Sequence, residues 1–254
     1  MEKISSRKND NVRLLRSLFR EKQTRDEKGL FAVEGDHLCG ELSRADCRIT
    51  LAAYTEKAAE KYPETVKLLA EKSNAVLIIT EELSEYISDT KSPQGLFAAA
   101  ETKPFAISEN ARKIIVLDGV QDPGNVGTII RTAEALGADG AVLLENCADI
   151  MSPKTLRASM GSAFRFPVVN AAADALAEML DGFAIYGAML DKTAKRLGEV
   201  TFPEKTAVVI GSEGAGISPK VAAMCGEKIY IPIQKAESLN AACAAALLMW
   251  ELLK

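Results

Sequence analysis

Between residues 9 and 22, Leu14, Leu15, Leu18 and Phe19 form one apolar stripe, which predicts an amphipathic helix. After it the pattern changes to short apolar runs separated by mixed segments. Phe31-Ala32-Val33, Ile49 to Ala53, Ala75 to Ile79 and Gly95 to Ala100 read as strands. Helices are expected after Gly35 or Asp36, either of which suits a cap, and over Thr55 to Lys72 and Glu81 to Ser88. Such alternation describes a small α/β unit.

The stretch from Glu101 to Asn110 is polar, carries Pro104, and reads as a linker. Alternation then resumes. Lys113 to Leu117, Gly140 to Leu144, Val168-Val169, Ala184 to Ala188, Thr206 to Ile210 and Lys228 to Ile233 are the expected strands. Asn125 to Leu136, Pro153 to Gly161, Ala173 to Leu180 and Asn240 to Leu253 are the expected helices. Apolar runs between helices imply a mostly parallel sheet covered on both faces. The division is therefore into domains at 1–103 and 112–254.

Bulk properties narrow the field. A chain of 254 residues with 48% hydrophobic content is globular with a sizeable core. The formal net charge of −4 does not by itself announce a nucleic-acid binder. Basic residues are nevertheless concentrated locally. Arg13, Arg16 and Arg20 share a face of the first helix, which is either a solvated surface or a footprint for RNA phosphates. Cys39, Cys47, Cys147, Cys225 and Cys243 are scattered and read as reduced thiols of a cytoplasmic protein. The charged N-terminus lacks a signal core, and no segment suits a membrane. His37 is the single histidine, and its spacing to Cys39 and Cys47 does not fit a zinc module, so no metal is expected.

Three loops carry the candidate chemistry. The first is Asp118-Gly119-Val120-Gln121-Asp122-Pro123-Gly124-Asn125, where Asn125 suits a helix N-cap and Arg131 follows nearly two turns later, on a similar side. On its own this describes a capped helix equally well. The second is Gly211-Ser212-Glu213-Gly214-Ala215-Gly216. No Lys-Ser/Thr follows the glycines, so it is not a phosphate-binding P-loop, and the spacing is wrong for a dinucleotide fingerprint. Glu213 would repel phosphate and suits a positively charged cofactor or catalytic group, or else simply faces solvent. The third is Ile231-Pro232-Ile233, the spacer Gln234-Lys235-Ala236-Glu237, and Ser238-Leu239-Asn240. Ser238 or Asn240 can cap the last helix, whose run from Ala241 to Ala246 permits close backbone approach within the fold or across a dimer.

Taken in order, Asn125…Arg131, Gly211-Ser212-Glu213-Gly214 and Ile231-Pro232-Ile233…Ser238-Leu239-Asn240 resemble the three motifs of the SpoU (TrmH-type) branch of the SPOUT RNA methyltransferases. Arg157-Ala158-Ser159-Met160-Gly161-Ser162-Ala163-Phe164 also looks familial, and Gly29 to Gly35 resembles the substrate-binding domain of ribosomal RNA members. The Gln234–Glu237 spacer is one residue shorter than is usual. The resemblance implies a small N-terminal α/β RNA-binding domain and a C-terminal, mostly parallel α/β domain with a trefoil knot, assembled as a homodimer through the C-terminal domain. It implies methyl transfer from S-adenosylmethionine to a ribose 2′-hydroxyl, with ribosomal RNA favoured over transfer RNA. By position, Gly211, Gly214, Ile231, Ile233 and Leu239 would hold the cofactor. Arg131 would be catalytic, surrounded by Asn125, Glu213, Ser238 and Asn240.

The reaction must remove a hydroxyl proton as oxygen attacks the methyl group. Guanidinium is almost always protonated. Arg131 therefore acts either as a base after strong desolvation or as a cation that clamps RNA phosphate and stabilises the developing alkoxide. In the second version the proton leaves through phosphate, water or Ser238, and alignment supplies much of the rate. Two other classes compete with this reading: a non-catalytic RNA-binding or ribosome-assembly module on the same fold, and a nucleotide-dependent enzyme on an ordinary Rossmann sheet.

Overall fold

A short strand, β1 (Lys3–Ile4), precedes the expected amphipathic helix, α1 (Asp10–Arg20), in a computed structural model that describes residues 3–236 and 238–254. Asn9 caps α1 by accepting from the amides of Asn11 and Val12. Val12, Leu15, Leu18 and Phe19 are buried. A second helix, α2 (Lys22–Lys28), ends on Gly29 in the left-handed conformation that favours glycine. The order then runs β2 (Leu30–Glu34), α3 (Asp36–Arg44), β3 (Ile49–Thr55), α4 (Glu56–Lys61), α5 (Pro63–Lys72), β4 (Ser73–Ile79), α6 (Glu81–Ile87) and β5 (Leu96–Glu101). The helix expected across Thr55 to Lys72 is broken at Tyr62, because a residue before proline is disfavoured in helical geometry and Pro63 starts a new helix. The strands form one sheet in the order β1-β4-β3-β5-β2, with β2 and β5 antiparallel and β3 and β4 parallel.

The basic face of α1 serves the fold as well as solvent. Arg16 donates to the Tyr86 carbonyl and lies 3.9 Å from the centre of its ring, and Arg20 donates to the Ser88 carbonyl at 3.0 Å. Both arginines thereby satisfy carbonyls at the end of α6. Arg13 remains exposed.

Two compact units result. The first comprises Met1–Lys103 and Met151–Arg165, the second Pro104–Ile150 and Phe166–Lys254. The Arg157 to Phe164 motif, embedded in the second half of the sequence, thus builds into the first unit. Phe164 stacks on Phe31 with ring centres 5.7 Å apart, which anchors that excursion.

In the second unit the order is β6 (Lys113–Asp118), α7 (Pro123–Leu136), β7 (Gly140–Leu143), then α8 (Pro153–Ser159) on its excursion, β8 (Val168–Asn170), α9 (Leu176–Met179), β9 (Ala184–Ala188), β10 (Lys195–Arg196), β11 (Thr206–Gly211), α10 (Pro219–Ala222), β12 (Glu227–Tyr230) and α11 (Ala241–Leu253). All pairings are parallel in the order β10-β12-β9-β11-β6-β7-β8. Ile114, Ile115, Val116 and Leu117 are wholly buried, as expected of a central strand with both faces covered. The final strand stops at Tyr230, short of the expected Ile233, and Pro232 lacks the N–H needed to continue a ladder. From β6 the chain moves outward in one direction through β7 and β8, and it later returns on the other side through β9 and β11. The β6–β11 edge is a topological switch point, where ligands bind beyond the carboxyl ends of such strands. Among the described residues no helix is long and apolar enough to cross a membrane.

Candidate active site

The three loops meet at that switch point. Asp118 ends β6 and is paired in register with Gly211, which ends β11. Beyond β6, Asp122 caps α7 by accepting from the Asn125 amide at 2.9 Å, and Pro123 occupies the first turn. Asn125 is therefore not the cap expected from its position. It lies inside the first turn, and its side chain is free for other partners. Its amide nitrogen donates to Glu213 Oε1, and its Oδ1 accepts from Asn240 Nδ2 at 3.0 Å. Asn240 is in turn the N-cap of α11, accepting from Ala242 at 2.9 Å and Cys243 at 3.3 Å. A single chain of hydrogen bonds thus joins one polar residue from each loop: Glu213, Asn125 and Asn240.

The second loop is a tight reversal. Ser212 and Gly216 exchange backbone hydrogen bonds, both 3.0 Å long, and Gly216 adopts a positive φ of 69°. A β-carbon at Gly211 would stand 2.1 Å from the Gly216 carbonyl carbon and 2.3 Å from the Ile217 nitrogen, so only glycine fits. Asp118 fixes the far end by accepting from the Ser218 amide at 2.6 Å. Its side chain is 8% exposed, an unusual place for a carboxylate without a role. Sequence reasoning passed over Asp118. The available signal was a carboxylate that ends a wholly apolar strand immediately before a glycine.

Between the second and third loops lies a cavity of about 410 Å³. Gly211, Ile231, Ile233 and Leu239, four of the five expected cofactor residues, line it, together with Glu213 and Ser238. Gly214 does not: it sits exposed on the loop tip with open space around it. Ala188 and Met189, where β9 ends, complete the wall and had no distinguishing sequence signal. Glu237 lies outside the described residues, so the shortened spacer is described only through Ala236.

The residues present fit S-adenosylmethionine. Apolar side chains offer a surface for a flat ring, and open strand ends offer backbone groups. Glu213 forms no ion pair among the described residues, which leaves its charge available to a cationic ligand. Arg131 stands apart from this network. Six residues are about 1.7 turns, which turns it roughly 120° away from Asn125 rather than onto a similar side. It is exposed and has no partner among the described residues. Burial pushes the Cys225 thiol up to about 11 and also raises that of Cys147.

A parallel α/β sheet with such a cavity beyond the carboxyl ends of β9, β11 and β12, rimmed by a carboxylate that forms no ion pair among the described residues, suits a ligand that carries positive charge. Residues 112–250 match the model of the SpoU rRNA Methylase family, and residues 9–98 match the MRM3-like substrate binding domain. The chain belongs to the SpoU rRNA methylase family and is an S-adenosylmethionine-dependent RNA ribose 2′-O-methyltransferase. It is 32% identical over 99% of both chains to the 23S rRNA (guanosine(2553)-2'-O)-methyltransferase RlmP of Bacillus subtilis. An AdoMet-bound rRNA methyltransferase from Sinorhizobium meliloti superposes with a TM-score of 0.85 at 27% identity, covering 98% of this chain and 96% of that one. A TrmH-family RNA methyltransferase structure from Porphyromonas gingivalis does so with a TM-score of 0.81 at 34% identity, covering 96% of each.

Proposed function

We propose that this enzyme methylates a ribose in ribosomal RNA, with the 1–103 domain selecting the RNA and the 112–254 domain performing the chemistry. The observation that carries this reading is the Glu213–Asn125–Asn240 chain of hydrogen bonds on the rim of a cofactor-sized cavity. It holds three loops at the place where the 2′-hydroxyl must be presented. When bound, S-adenosylmethionine supplies the electrophilic methyl group. Glu213 favours the positive charge of that ligand, and Asn125 and Asn240 fix the carboxylate and offer amide groups to the ribose. Ser238 hydrogen-bonds the approaching hydroxyl.

Arg131 is exposed and so open to a phosphate of the RNA, which favours the cationic version of its role. Its guanidinium clamps a phosphate of the RNA and stabilises the alkoxide as the proton leaves to water. Arg13 adds to the RNA footprint from the first unit, whereas Arg16 and Arg20 contribute field while holding α6.

The test supplies methyl-labelled S-adenosylmethionine and unmodified ribosomal or transfer RNA to purified protein, followed by digestion to nucleosides. Label is expected in a 2′-O-methylnucleoside from ribosomal RNA. Label from transfer RNA alone would replace the substrate class, and label on a base would overturn the reading.

The reading includes a cytoplasmic enzyme, a trefoil knot in the catalytic domain, and a homodimer formed through α11. That helix buries Ala241, Ala245 and Leu248 inward, yet leaves Leu247 47% and Trp250 60% exposed on the stripe that begins at Cys243. Large apolar side chains grouped on one helix face mark an interaction surface. Trp250→Glu is expected to yield monomers by light scattering, with the monomer fold kept. A monomeric wild-type protein would rule out the dimer.

A further inference from the structure

A second cavity, about 340 Å³, opens entirely within the first unit. Its walls are the first turn of α3, the 88–95 loop and the end of α8. Leu38 and Met160 supply apolar surface. His37, Ser92 and the Gln94 amide nitrogen are exposed polar groups without a partner among the described residues, the Gln94 carbonyl being used to accept from Asp36 N at 2.7 Å.

The charges select against an anion. Arg157 is already paired with Asp89 at 3.0 Å. Glu34, also on the wall, accepts from the hydroxyls of Ser88 at 2.7 Å and Thr90 at 2.9 Å but meets no cation among the described residues. A phosphate would meet the Glu34 carboxylate, while Arg157 is already engaged by Asp89. A neutral ring with hydrogen-bonding edges would find an apolar face and three free polar groups.

Met160 points the same way. It adopts a φ of 52° and is one of two non-glycine residues with positive φ among those described. The left-handed position that ends a helix is ordinarily glycine. A long side chain kept there carries backbone strain, and such strain clusters where ligands bind. The thioether is suited to contact with an aromatic ring.

We propose that this cavity receives one unpaired nucleobase of the substrate RNA, its face against Met160 and its edge on Gln94 and Ser92. Sequence-specific recognition of RNA relies on bases splayed out of the stack in this manner. The proposal rests on the RNA methyltransferase reading and extends it. Arg157 and Met160 come from the stretch matching the methylase family, so that stretch helps to read the RNA as well as to build the catalytic half.

Two variants of the full chain test it, with the RNA pool that wild-type enzyme methylates as the probe. Met160→Gly removes the wall while relieving the backbone, and Ser92→Trp fills the space from an exposed position. Both are expected to raise the KM for RNA by about five-fold or more, with the dissociation constant for S-adenosylmethionine unchanged and the melting temperature of Met160→Gly equal or higher. An RNA KM of wild-type value in Ser92→Trp overturns the proposal. So does a lower melting temperature with unchanged KM in Met160→Gly, which would make Met160 a packing residue. If wild-type protein labels no RNA, the underlying reading fails and the subsite falls with it.

Discussion

Gly211→Ala is expected to lose binding of S-adenosylmethionine by about 100-fold, equivalent to ~2.7 kcal/mol. The reason is geometric. The added methyl group would overlap the Gly216 carbonyl carbon at 2.1 Å and the Ile217 nitrogen at 2.3 Å, and both obstacles are backbone. The loop cannot yield by rotating a side chain, so the Ser212–Gly216 reversal must open. Opening it shifts Glu213, which breaks the bond to Asn125, and pulls on the Ser218 amide held by Asp118. Overpacking also costs stability, about 1–3 kcal/mol, so the comparison is made at a temperature where the variant stays folded. Gly214→Ala is the control. A β-carbon there meets nothing within 4 Å, and affinity should be that of the wild type. Isothermal titration of both variants decides the matter: equal affinities would mean that the reversal does not shape the cofactor cavity.

Much of this arrangement was legible in the chain because buried parallel strands announce themselves as continuous apolar runs. Ile114 to Leu117 and Ala207 to Ile210 are such runs, and functional loops follow the ends of such strands. The roles of the polar residues on those loops came instead from the resemblance of Asn125…Arg131, Gly211-Ser212-Glu213-Gly214 and Ser238-Leu239-Asn240 to the SpoU motifs. Their pairing was less accessible. Asp122 and Asn125 are both good caps, and sequence alone does not say which accepts the amide; the choice of Asp122 is what frees Asn125 for Glu213 and Asn240. Nor did local pattern foretell that residues 151–165 join the first unit. That placement is decided by contacts distant in sequence, such as Phe164 on Phe31 and Arg157 on Asp89. The basic face of α1 was visible as periodicity, but its division into exposed Arg13 and engaged Arg16 and Arg20 depended on where the end of α6 came to rest.

Arg131→Ala is expected to reduce turnover by at least about 100-fold while leaving the affinity for S-adenosylmethionine and the melting temperature unchanged. Stability should hold because the side chain is exposed and makes no bond within the described residues, and such substitutions usually fall within about 0.5 kcal/mol. Cofactor affinity should hold because Arg131 does not line the cavity. Turnover should fall because an oxyanion-stabilising group of this kind is worth on the order of 100-fold or more. Arg131→Lys separates the two roles. A lysine keeps the cation but loses the planar fork that grips phosphate. As a clamp it should restore part of the turnover at neutral pH and raise the KM for RNA, with little change in the shape of the pH profile. As a base, its ammonium must first lose a proton, and turnover should climb with pH towards the lysine range of about 10. A steep climb would overturn the cationic role, and wild-type turnover in the alanine variant would remove Arg131 from the mechanism altogether, leaving the reaction to alignment on the Glu213, Asn125 and Asn240 rim.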